Sequence, residues 1–207
     1  SVIEKCRDIN KKYNIKIMPS NDSLGPIKAI KAVETELEKW ISVSKGEAKL
    51  PPIIDFNTAK GNWYDSTSAY GKGTTAAYSE SRYNGAISFN RMRNKAVEYA
   101  MRHEMTHTND LTRAGHKIPK EYNMDEIMPH YIEEKQGRKI QINQADKGKY
   151  YQEFKNAGLA DSDINYAYNN PQEFIAVASE GDMSKYSSEF KKVLMDLGMP
   201  EWVLNLS

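Results

Sequence analysis

Cysteine is nearly missing from this chain: 207 residues hold one, Cys6. A single thiol excludes an intramolecular disulfide framework and any metal site built on cysteine. Within its helical stretch Cys6 reads as a small buried hydrophobe. No apolar run approaches the ~20 residues that span a bilayer, and no secretory h-region is visible. A charge excess is also lacking, with 29 Lys+Arg against 28 Asp+Glu and a net charge of +1. That balance gives no pull toward nucleic acid or an anionic membrane surface. Internal repeats and low-complexity tracts are absent, and histidine is scarce, at four residues. The expectation is a polar globular chain, a monomer, long enough to bury one core.

Residues 1–14 carry Ile3, Cys6 and Ile9 near a helical period, and Ile15–Met18 alternates like a short strand. From Ser23 to Ser44, Ile27, Ile30, Val33, Leu37, Trp40 and Ile41 form one apolar stripe, which predicts a long core-facing helix. Leu50–Phe56 reads as a strand. Asn57–Gly73 reads as a long loop, on which Trp63, Tyr64 and Tyr70 either line a groove or anchor the loop. Thr74–Tyr83 and Gly85–Asn90 read as two strands turning at Asn84-Gly85, a tight-turn dipeptide. Beyond residue 110 the periods predict helices over Glu121–Gln136, Lys147–Asn156, Gln172–Ser179 and Ser187–Leu197. Asn170 stands as N-cap and Pro171 at the first position of the third of these. The pattern implies an α+β fold with a small, mostly antiparallel sheet and a mainly helical C-terminal lobe. The division is one domain, 1–207, with lobes 1–112 and 113–207.

Between the sheet and that lobe lies Ala96-Val-Glu-Tyr-Ala-Met-Arg-His-Glu-Met-Thr-His107. Val97, Ala100, Met101 and Met105 hold a helical period, so His103 and His107 share one face, one turn apart. Two imidazoles so placed can meet one cation, and Glu104 can reach its outer sphere without ligating it. This His-Glu-x-x-His spacing is that of zinc peptidases, where the glutamate is the general base. The bland alternative is two solvated histidines. It loses ground because half of the chain's histidines fall here, on a helix with an apolar face.

Catalytic zinc takes three protein ligands and keeps one position for water. The candidates for the third are Asp110, His116, Glu126, His130 and Glu173. Asp110 is three residues beyond His107 and reads as a solvated acid, and His116 follows without the required turn. Glu126 lies nineteen residues after His107, with His130 one turn on. Glu173 sits among Phe174, Ile175, Ala176, Val177 and Ala178, where a carboxylate needs a partner. Glu173 is preferred, and Glu126 stays open.

His103-Glu-Met-Thr-His107, followed by Tyr166 and by Glu173-Phe174-x-Ala176, resembles a group of gluzincin-type zincin metalloproteases. The group comprises the protease domain of anthrax lethal factor and the clostridial secreted Pro-Pro endopeptidases. The likeness covers about half the chain, from the Asn84–Asn90 strand to Ser179, and departs from the group by an apparent insertion around 117–149. It implies one catalytic Zn²⁺ on His103, His107 and Glu173, with Glu104 as general base. It also implies that Tyr166, seven residues before the ligand glutamate, donates to the developing oxyanion, with Tyr168 as the alternative. Glu180 and Asp110 are candidates to orient the imidazoles. An exposed edge strand at Ala86–Asn90 would dock a protein or peptide substrate by main-chain pairing. The implied protein is a bacterial endopeptidase, a toxin or effector, secreted or delivered to a host cell. The alternative is a non-catalytic zincin-like binding module.

Overall fold

In a computed structural model, residues 1–18, 26–56, 76–79, 86–89 and 94–207 are described. They divide into two compact units, Ser1–Thr108 and Asn109–Ser207. The loop expected at Asn57–Gly73, with Trp63, Tyr64 and Tyr70, lies outside the described residues.

The first unit runs α1 (Val2–Tyr13), β1 (Lys16–Met18), α2 (Pro26–Ser44), β2 (Ile53–Asp55), β3 (Ala76–Ser79), β4 (Ala86–Phe89) and α3 (Asn94–Asn109). Helix α1 ends where Asn14 takes a left-handed conformation, φ 56°, a role asparagine tolerates better than most side chains. The strand order is β1-β2-β4-β3. Strands β1 and β2 are parallel, as are β2 and β4, and only β3 and β4 are antiparallel. A parallel neighbour needs a crossover, and α2 is the one that links β1 to β2. The apolar stripe of α2 is buried as expected, with Val33, Leu37 and Trp40 fully enclosed, while Phe56 stacks on Phe89 at 4.9 Å.

Two sequence expectations fail in this sheet. It is not mostly antiparallel, and Ala86–Phe89 is not an exposed edge. β4 is flanked on both sides, by β2 through Ile54↔Ile87 and Asp55↔Ser88 and by β3 through Ala77↔Ser88 and Tyr78↔Ile87. Both of its hydrogen-bonding sides are taken, so an extended substrate cannot add there. Alternation of Ile87 and Phe89 reports which face is buried, and it is the same for an interior and an edge strand. The turn expected at Asn84-Gly85 lies outside the described residues; on either side of it, Ser79 pairs with Ala86.

The second unit contains α4 (Met124–Ile127), β5 (Tyr131–Lys135), β6 (Arg138–Ile142), α5 (Tyr151–Asn156), α6 (Asp161–Ala167), α7 (Pro171–Glu180) and α8 (Ser188–Asp196). Short 3-10 turns lie between several of these elements. Its core is aromatic: Phe154 meets Phe174 edge-on at 5.0 Å and Phe190 at 5.3 Å, and Tyr186 meets Phe190 at 4.8 Å. The helix expected over Glu121–Gln136 is a single turn, α4, followed by an antiparallel hairpin. Pro129 removes a backbone donor. Gln136 and Gly137 both take positive φ, 53° and 73°, as a tight two-residue hairpin turn requires.

Candidate metal centre

The helix carrying the motif is α3, whose Val97, Met101 and Met105 are almost wholly buried. One turn of it is held from α2. The Arg102 guanidinium donates to both carboxylate oxygens of Glu36, from Nη2 at 2.7 Å and from Nε at 3.2 Å. Trp40 Nε1–H donates to the same carboxylate at 3.2 Å. Glu36 is 1 % exposed, and a buried acid of this kind is tolerable only with such partners. Thr106 and Thr108 bond back to the carbonyls of Arg102 and Glu104 at 2.8 and 3.1 Å, which keeps both hydroxyls satisfied within the helix.

This frame sets the two imidazoles against each other. His103 and His107 are both about nine-tenths buried, their rings are nearly perpendicular, and their Nε2 atoms stand 3.2 Å apart. Two nitrogens around one tetrahedral zinc at ~2.05 Å would be roughly 3.3 Å apart. Glu104 is buried beside them in sequence, at 6 % exposure.

Glu173 is the third member: its carboxylate and the two imidazoles offer ligand atoms that all lie within 4.8 Å of one another. No other triad of metal-binding side chains occurs among the described residues. Glu173 reaches this position from the first turn of α7. Asn170 Oδ1 accepts from the Glu173 backbone N–H at 2.8 Å, and Pro171 occupies the first helical position. The capping signals read from the sequence are therefore the ones that start the helix, and Phe174, locked in the aromatic core, fixes its rotation. Two imidazole nitrogens and one carboxylate so grouped could hold a metal ion.

The rival donors lie elsewhere. Glu126 is exposed in α4, where its backbone N–H is capped by Asn123, and His130 is exposed as well. A ring nitrogen of His116 lies 2.8 Å from the Asp196 carbonyl oxygen. Asp110 is 3 % exposed rather than solvated, and its Oδ1 caps the turn at Leu111–Ala114 through Thr112 N–H and Oγ1–H at 2.9 and 2.7 Å.

The two tyrosines separate cleanly. Tyr168 is 1 % exposed, and its hydroxyl donates to the Ala145 carbonyl at 2.9 Å. Burial holds its phenol well above the usual range, so it is a core residue with a committed proton. Tyr166 is 49 % exposed. Glu180 ends α7, one turn and more beyond Glu173.

The Glu36–Arg102 clamp was not anticipated. Its signal was an acid at position 36 within the stripe Val33–Leu37–Trp40, where an exposed-face charge does not belong. Among comparisons with known proteins, no family model, curated protein or solved structure matches this chain.

Proposed function

We propose that this chain is a zinc-dependent endopeptidase acting on a protein substrate. The observation that carries the reading is the convergence of His103, His107 and Glu173, with an intact Glu104 beside the first histidine. When bound by those three side chains, zinc supplies Lewis acidity toward water and toward the scissile carbonyl.

The chain's own residues do the rest. Glu104 accepts the proton of the attacking water and delivers it to the leaving amine. Tyr166, 49 % exposed, donates to the oxyanion that develops on the substrate. Removing such a donor typically costs ~2.7–4 kcal/mol of transition-state stabilisation. The Arg102–Glu36 pair holds the turn that presents His103 and is a positioning element. The likeness to the lethal factor and Pro-Pro endopeptidase group supports the same roles. On that likeness the enzyme is a bacterial toxin or effector, secreted or delivered to a host cell.

The test joins metal content with cleavage of a peptide library. Purified protein should hold about one zinc per chain and cleave library members, and a chelator should stop it. Glu104→Gln should retain the metal and lose at least ~10²-fold in turnover, and His107→Ala should lose both. Cleavage by Glu104→Gln at the wild-type rate would eliminate the mechanism. A metal-replete protein that cleaves nothing would leave the binding-module reading in its place.

A further inference from the structure

The first unit carries a groove that shares no residue with the His/Glu cluster. Its volume is about 340 Å³, and it is lined by Ile3, Cys6, Arg7 and Asn10 of α1 and by Lys16 and Ile17 of β1. The four α1 residues recur at helical spacing and so form one face. The opposite side of α1 is tied to α2 by Lys5–Glu34 at 2.8 Å and Lys12–Glu38 at 3.2 Å, so the groove wall has a fixed mount.

β1 stands at the end of the four-stranded sheet. Lys16 N–H donates to the Pro52 carbonyl and Phe56 N–H donates to the Met18 carbonyl. Residues 16 and 18 thus turn their main-chain groups toward β2. Strand alternation then turns the N–H and C=O of Ile17 toward the open edge and the groove. Arg7 and Lys16 flank that edge, both exposed, and neither has a carboxylate partner among the described residues. The lining combines apolar Ile3 and Ile17, a main-chain pair with no partner among the described residues, and two cations, with no acidic residue.

We infer that this groove binds an extended, carboxylate-bearing peptide that adds to the free edge of β1 beside α1. The main chain of Ile17 would pair with the peptide backbone, Ile3 and Cys6 would take an apolar side chain, and Arg7 and Lys16 would take carboxylates. Charge complementarity selects this occupant, since the groove is lined by two exposed cations and no acid.

The test uses fluorescein-labelled Glu-Val-Glu-Val-Glu and its Lys-Val-Lys-Val-Lys and Gln-Val-Gln-Val-Gln counterparts, titrated by anisotropy against the whole chain. A free acid and an amide at the peptide C-terminus separate side-chain from terminal carboxylates as the source. The glutamate peptide should bind in preference to both others, more weakly as salt rises, and N-methylation of its central amides should abolish binding. Arg7→Glu and Lys16→Glu, both at exposed positions that should leave the circular dichroism unchanged, should each weaken binding by about fivefold. Together they should favour the lysine peptide. As the sole cysteine, Cys6 reports the groove directly: bound peptide should slow its modification by a thiol reagent. Equal binding of the three peptides, undiminished binding after N-methylation, or unprotected Cys6 would overturn the inference. So would concentration-dependent dimerisation abolished by Lys16→Glu, which would assign the edge to a second copy.

Discussion

Replacing Glu36 by alanine should damage the first unit far more than a helix-surface acid would. The Glu36 side chain is 2 % exposed and that of Arg102 is 10 %, so the pair sits in a low-dielectric setting. Truncation takes away both guanidinium bonds, at 2.7 and 3.2 Å, and the Trp40 indole bond at 3.2 Å. Breaking a buried pair on one side costs about 3–5 kcal/mol, most of it from the charge left behind. For a chain of this length that corresponds to a fall in Tm of roughly 6–20 °C. The second cation near Glu36, Lys39 at 3.8 Å, is part-exposed and adds little. The assay is chemical denaturation followed by Trp fluorescence, with Glu36→Leu, Arg102→Met and the double variant Glu36→Leu/Arg102→Met forming a cycle. The double variant should recover most of the loss, because two apolar side chains of similar volume leave no orphaned charge. Glu36→Gln, which keeps the volume, should also weaken metal binding by shifting the turn that bears His103. A Glu36→Ala protein within ~1 kcal/mol of wild type would refute the reasoning, since the pair would then have to be solvated.

Four further outcomes can be measured separately. Tyr166→Phe should leave stability within about 0.5 kcal/mol while slowing turnover by ~10²–10³-fold. Tyr168→Phe should do the reverse, costing ~1–3 kcal/mol by stranding the Ala145 carbonyl. Asn170→Ala should cost about 1 kcal/mol through the lost cap on Glu173 N–H and should lower metal affinity as the first turn of α7 frays. At alkaline pH the buried phenols of the second unit should become a liability. Burial first, and then the Glu189 carboxylate, push Tyr150 from the ordinary 10.0 up to about 12. Tyr122, Tyr168 and Tyr186 are raised in the same direction, chiefly by burial. A raised folded pKa means stabilisation intact below pH 10 and lost as pH climbs toward 12, because the unfolded chain releases those protons first. Absorbance at ~295 nm should therefore rise together with loss of far-UV ellipticity. Ionisation of all tyrosines near pH 10 with the fold retained would contradict it.

Features that depend on near neighbours in the chain were legible in the sequence. The helix through the motif, the shared face of His103 and His107, and the start of α7 at Asn170-Pro171 follow from rules acting within one or two turns. The strands near residues 16–18 and 53–55 were visible through alternation. The hairpin at Tyr131–Ile142 was legible in principle, from Ile140-Gln141-Ile142 and the Gly137 turn after Pro129, but a helical period laid over the same residues concealed it.

By itself, then, the order of residues determined two imidazoles on one helical face, a glutamate beside them, and an acid at a capped helix start. It preferred Glu173 but left Glu126 open as the third donor, and it kept Tyr168 as the alternative to Tyr166, because local periodicity carries no information about distant partners. Only the tertiary structure decided that Glu173 meets the histidines while Glu126 stays exposed, and that Tyr168 spends its proton on Ala145. It also decided that β4 lies inside the sheet, since β2, more than thirty residues earlier, occupies the side that alternation alone would leave free. Strand neighbours are chosen by burial and main-chain pairing summed over the whole unit, and no short window of sequence contains that sum.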